Sequence, residues 1–67
     1  MRLVINGEDR EVAEGINLSE LVKILQLTPE RVAVELNHRV VRRAEWTETN
    51  LTEGDRLEIV HFVGGGS

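Results

Sequence analysis

The alternation of apolar and polar residues at the start of the chain predicts a β-hairpin. Residues 1–5 (Met-Arg-Leu-Val-Ile) are rich in strand-forming side chains and lead into Asn6-Gly7. Asn-Gly is the strongest short-range signal for a two-residue hairpin turn. Residues 8–13 are then the returning strand, and Val12 is its clearest apolar position.

The spacing of apolar residues changes after Gly15 and predicts one amphipathic helix. Asn17 is a good helix N-cap, and Glu20 stands three residues later, as in a capping box. Thr28-Pro29 is expected to end the helix, because the residue before proline is disfavoured in the α region. The apolar face follows the i, i+3, i+4, i+7 rule and consists of Leu18, Leu21, Val22 and Leu25.

The second half of the chain predicts further strands joined by turns. Residues 32–36 alternate as a strand, residues 37–39 form a turn, and residues 40–41 begin a short return. Residues 43–47 contain the lone tryptophan, Trp46, in a possible helical turn, and packing is the favoured role for its side chain. Residues 53–55 form a turn before the last strand, residues 56–63.

This order of elements, ββαβ(β)β, predicts an α+β fold with one helix on one face of a mixed sheet. The first and last strands are apolar on both faces, so they are expected to lie side by side at its centre. The predicted division is a domain at residues 1–63 and a flexible glycine tail at residues 64–67.

Composition narrows the possible functions. The chain has 12 acidic and 8 basic residues, a formal charge of −4, which disfavours a nucleic-acid-binding protein. It has no cysteine, so a thiol nucleophile, a persulfide and a Cys-based zinc site are excluded. No apolar run approaches the roughly 20 residues of a membrane span, and no signal-peptide pattern opens the chain. A soluble, cytoplasmic protein is expected, with no catalytic side chain and no metal site.

The glycines that follow the last strand are the main candidate for chemistry. Gly64, Gly65 and Gly66 form a thin segment that could thread a narrow channel in another protein, or could be a simple linker. Along the last strand, Glu58 should face water, which puts Val60 and Phe62 on the same outward face. By the same alternation Val4 points outward. Val4, Val60 and Phe62 are therefore predicted to form an apolar partner-binding patch.

Several features follow one another along the chain in a definite order: Ile5-Asn6-Gly7, residues 34–37, Val40-Val41 with Arg43 and Trp46, residues 53–55 and 57–60, and the Phe62-Val63-Gly-Gly ending. In this order they resemble the ThiS-type sulfur carriers of the β-grasp (ubiquitin-like) superfamily. The resemblance covers residues 1–66. No single motif is specific, but their order, the length and the glycine ending occur together.

The resemblance implies a protein cosubstrate for thiamin biosynthesis and not an enzyme. An E1-like adenylyltransferase (ThiF or MoeB type) would use ATP to adenylate the terminal glycine carboxylate. A sulfur donor protein would convert the adenylate to a thiocarboxylate, and a thiazole synthase (ThiG type) would take that sulfur. No bound cofactor is implied. The activated diglycine would be Gly65-Gly66, with Gly64 as additional tail.

Several alternatives stay open on the sequence alone. The chain could be a MoaD-like carrier for molybdopterin synthesis, a ubiquitin-like protein modifier, or a β-grasp interaction module without chemistry. Ser67 departs from the family pattern, because it occupies the carboxylate of Gly66. Ser67 could be removed by a protease, or it could be a linker residue. Alternatively, the terminus could be activated only poorly while Ser67 is present.

Overall fold

The computed structural model describes residues 1–62 of the 67. Five strands are present in this range: β1 (Arg2–Ile5), β2 (Glu8–Glu11), β3 (Val32–Leu36), β4 (Arg39–Val41) and β5 (Arg56–His61). One α-helix, α1, spans Leu18–Ile24, and two 3₁₀ helices span Pro29–Arg31 and Arg43–Glu48. The predicted tail, residues 64–67, lies outside the described residues, as does Val63.

The strands form a single mixed sheet in the order β2-β1-β5-β3-β4. β1 and β5 pair in parallel, whereas β1–β2, β3–β4 and β3–β5 pair antiparallel. The first and last strands are therefore neighbours, as predicted, and β5 is the central strand. The predicted α+β class is confirmed.

The hydrophobic core lies between α1 and one face of the sheet. Trp46 is part of this core, since only 3% of it is exposed, and its Nε1 donates a hydrogen bond to the Val41 carbonyl at 3.0 Å. The packing role predicted for Trp46 is thereby confirmed. The other buried apolar residues are Leu3, Ile5, Leu18, Leu21, Val22, Val32, Val34, Leu51 and Leu57.

Both predicted hairpin turns are two-residue loops with left-handed backbone. Asn6 and Gly7 have φ values of 51° and 82°, and Asn37 and His38 have φ values of 52° and 71°. Positive φ at both central positions is the mirror-image turn that fits the right-handed twist of the strands. Asparagine adopts this conformation more readily than most residues, and this explains its place at the start of each turn.

The helix begins as predicted. Asn17 Oδ1 accepts a hydrogen bond from the Glu20 amide at 2.8 Å, and Glu20 Oε1 accepts one from the Asn17 amide at 2.9 Å. These two bonds are the complete capping box.

The predicted end of the helix at Thr28-Pro29 is wrong, because α1 ends at Ile24. Gln26 adopts a left-handed backbone (φ 61°) and its amide donates to the Lys23 carbonyl at 2.9 Å, while the Leu27 amide donates to the Val22 carbonyl at 3.1 Å. This pair of bonds is a Schellman motif, which turns the chain out of the helix. It returns Leu27 to the core, where its side chain packs. The helix therefore ends upstream of Thr28-Pro29, and the proline does not determine its end.

Candidate functional site on the open face of the sheet

The face of the sheet opposite α1 is uncovered in the described part of the chain. Along β5, Leu57 is buried against the helix, whereas Glu58 and Val60 are exposed. Ala33 pairs with Val60 across β3 and β5 and so shares this face. We call this side of the sheet the open face; its outward side chains near the end of β5 are Ala33, Glu35, Val40, Glu58 and Val60, with Phe62 one residue past the strand.

Three large apolar side chains are exposed in this region. The exposed fractions are 71% for Val40, 60% for Val60 and 47% for Phe62. Two of the three, Val40 and Val60, border a shallow depression of about 350 Å³, which is lined by Ala33, Val34, Glu35, Val40, Glu58 and Val60. Clustered exposed apolar side chains with polar neighbours are typical of protein–protein contact sites.

Two of the three residues predicted for the partner-binding patch lie at this depression or next to it, and Val4 does not. Val4 pairs with Arg56 in the parallel β1–β5 ladder, four residues before Val60 on the same strand. Four residues of strand correspond to about 13 Å. Val4 is also half-buried. The structure therefore does not bring Val4 together with Val60, because the register between the strands, which alternation alone cannot supply, offsets them.

The end of β5 is held on both of its edges. On one edge, the Asn6 side chain accepts a hydrogen bond from the Ile59 amide at 2.7 Å and donates one to the Ile59 carbonyl at 3.2 Å. On the other edge, His61 pairs with Val32, and the Phe62 amide donates to the Arg31 carbonyl at 2.7 Å. Hydrogen bonds on both edges of β5 therefore fix the position of Phe62, the last described residue, on the sheet.

The contact between Asn6 and Ile59 was not predicted from the sequence. β1 ends at Ile5, and the Asn6 side chain then takes the place of a further strand residue beside β5. Asn37 acts similarly in the other hairpin, where its Oδ1 accepts from the Arg56 amide at 3.0 Å. One feature of the sequence points to these side-chain contacts: asparagine occupies the first position of both turns, although glycine could adopt the same backbone conformation.

The other candidate groups lie away from the open face. His61 shares the helix side of the sheet with Leu57 and Ile59, and it is exposed at the edge of the core, as predicted. Within residues 1–62, no three His, Asp or Glu side chains come together as metal ligands. No helix in the same range is long and apolar enough to cross a membrane. The predicted sulfur-carrying residues Gly64, Gly65 and Gly66 lie outside the described residues.

The sheet order, the single helix and the comparison with solved structures define a β-grasp fold. The crystal structure of the thiamine biosynthesis protein ThiS from Geobacter metallireducens superimposes with a TM-score of 0.85 at 39% sequence identity, covering 98% of this chain and 100% of that one. Residues 3–66 match the ThiS family. The chain belongs to the ThiS family, and the resemblance seen in its sequence is confirmed.

Curated relatives agree with this assignment. The sulfur carrier protein ThiS of Bacillus subtilis is 35% identical over 65 residues, which cover 96% of this chain and 98% of that protein. A thiazole synthase of Paramagnetospirillum magneticum is 40% identical over 67 residues, which are 100% of this chain but 21% of that protein. A thiazole synthase of Magnetococcus marinus is 42% identical over 66 residues, 20% of its length. The chain thus spans about a fifth of the thiazole synthases that it matches.

Proposed function

We propose that this protein carries sulfur as a thiocarboxylate on Gly66 and donates it for formation of the thiazole ring of thiamin. The observation that carries the proposal is the ThiS family match, which spans residues 3–66 and so includes the three glycines. The protein is then a cosubstrate for other enzymes and performs no catalysis itself. Its reactive group is the main-chain carboxylate, exposed once the chain ends at Gly66.

The chemistry requires activation before sulfur can be added. A carboxylate is a poor electrophile at neutral pH, so one of its oxygens first attacks the α-phosphate of ATP and pyrophosphate leaves. A sulfur nucleophile then adds to the carbonyl carbon of the acyl adenylate, and AMP leaves with that oxygen. The product has one sulfur in place of one carboxylate oxygen. Because the chain contains no cysteine, the terminal carbonyl is the position available for covalently held sulfur.

Three partners are part of this proposal. An E1-like adenylyltransferase of the ThiF or MoeB type supplies the activation with ATP, a sulfur donor protein supplies the sulfur, and a thiazole synthase accepts it. The similarity of this chain to a segment of two thiazole synthases supports the last partner. Val60 and Phe62 are proposed as contacts for the adenylating enzyme, since they are exposed beside the start of the tail. Val4 lies apart from Val60 on the sheet, and its contact with a partner protein stays a prediction.

A reconstituted reaction tests the proposal. Protein ending at Gly66 is incubated with an E1-like adenylating enzyme, ATP and sulfide, and its intact mass is measured. We expect the mass to rise by the difference between one sulfur and one oxygen, only when ATP is present. Protein that retains Ser67 is the matched control and should not change. No mass gain with active enzyme, or isopeptide-linked adducts in its place, would contradict the proposal.

A further inference from the structure

Two carboxylates stand directly opposite each other on the open face. Glu35 of β3 pairs with Glu58 of β5 in the antiparallel ladder. Directly opposed residues have Cβ atoms about 4.5–5.5 Å apart, and like charges at such positions destabilise the sheet. Within residues 1–62, neither carboxylate forms an ion pair or accepts a hydrogen bond from a side chain. The like charges are therefore uncompensated by the described part of the fold.

The surroundings of the pair would strengthen an attraction to a cation. Both carboxylates line the depression of about 350 Å³, whose other walls include Val40 and Val60. Val40 pairs with Glu35 across β3 and β4, and Val60 lies two residues after Glu58 on the same face of β5, so both carboxylates have an exposed aliphatic side chain as a neighbour. A partner surface seated on these valines would exclude water, and a charge pair at lower dielectric is stronger than one in water.

We propose that this depression receives a basic side chain, preferably arginine, from the protein that adenylates the tail. The charged group would lie between Glu35 and Glu58, and its methylene stem would lie along Val40 and Val60. Arginine fits best because its planar group can donate to two carboxylates at once. This inference rests on the proposed function and adds the chemistry of the partner surface.

The position of the depression favours the adenylating protein as the occupant. Phe62 comes two residues after Val60 in the sequence, and its amide donates to the Arg31 carbonyl at 2.7 Å, so the last described residue lies next to the depression. A protein that contacts Glu58 and Val60 therefore binds only a few residues before the glycines that it must activate. The complementary charge needed at this place is positive.

The test compares two variants of equal net charge. Glu35→Gln/Glu58→Gln removes both carboxylates of the depression, and Glu14→Gln/Glu48→Gln removes two exposed carboxylates elsewhere on the protein. Binding to the E1-like adenylating enzyme is measured without ATP at low and high salt, together with KM and kcat for adenylation and the thermal midpoint. All chains end at Gly66.

We expect the Glu35→Gln/Glu58→Gln variant to bind about tenfold or more weakly, since a partner charge loses its paired carboxylates. Its KM should rise with kcat nearly unchanged, as expected for a contact that contributes equally to binding in the ground state and in the transition state. Its thermal midpoint should stay equal or increase, because the like-charge repulsion is removed. The Glu14→Gln/Glu48→Gln control should bind as the unaltered protein does. Weakened binding with undiminished stability separates a docking role from a structural one.

Two results would overturn the inference. One is equal binding by the Glu35→Gln/Glu58→Gln variant and the unaltered protein; the other is equal weakening in the control, which would indicate only long-range charge. Either result leaves the proposed function intact if the unaltered protein still gains sulfur. Conversely, charge-dependent binding by a protein that never gains sulfur would support the docking site and reject the proposed function.

Discussion

At the scale of single residues, Gln26 is in a conformation that its side chain disfavours. Its φ of 61° lies in the left-handed region, and glycine is the usual residue at this position of a Schellman motif. Gln26→Gly should therefore raise the free energy of unfolding by about 0.5–1 kcal/mol, measured by urea denaturation. Gln26→Ala keeps a Cβ and should give no such gain. A Gln26→Gly protein less stable than the unaltered one would contradict this account of the helix end.

Asn6 combines a turn conformation with two hydrogen bonds to Ile59. Asn6→Gly keeps the left-handed turn but loses both bonds, so it should cost about 1–2 kcal/mol of stability and speed amide hydrogen exchange at Ile59. Asn6→Ala loses the bonds and also strains the turn, so it should cost more. Unchanged exchange at Ile59 in Asn6→Gly would show that the side chain does not hold the last strand.

At the scale of elements, local signals determine the start of α1. The capping box involves residues three apart and can therefore be read from the sequence. Asn17→Ala should cost about 1 kcal/mol in urea denaturation, because an amide of the first turn loses its acceptor. Asn17→Asp should cost much less, because it retains an acceptor. Equal losses in the two variants would argue against the cap.

Elements whose placement depends on distant residues could not be predicted as well. The helix ends at Ile24 because Leu27 returns to the core, and this contact involves packing that the sequence does not display. The outward direction of Val60 followed from strand alternation. The separation of Val4 from Val60 depends on the β1–β5 register, which is determined by pairing between the two ends of the chain. The Glu35–Glu58 pair could not be predicted either, because it depends on the register between β3 and β5.

At the scale of the whole molecule, the two layers differ in what they expose. Among residues 1–62, the helix layer has one large exposed apolar residue, Ile24 (53%), and the open face has Val40, Val60 and, beside them, Phe62. Phe62→Glu should raise KM for adenylation by roughly tenfold, because a charge replaces an apolar contact at the partner surface. Ile24→Glu makes the same change on the opposite side of the protein and should leave KM unaltered. Similar KM values for the two variants would remove Phe62 from the docking surface.

The central claim is that sulfur is held on the main-chain carboxylate at Gly66 and that no side chain of the protein does covalent work. Mass spectrometry of the C-terminal peptide, from protein isolated from its own cells, tests this claim most directly. The account predicts a population that ends at Gly66 with one terminal oxygen replaced by sulfur. A population in which every chain retains Ser67 and no terminus carries sulfur would contradict it.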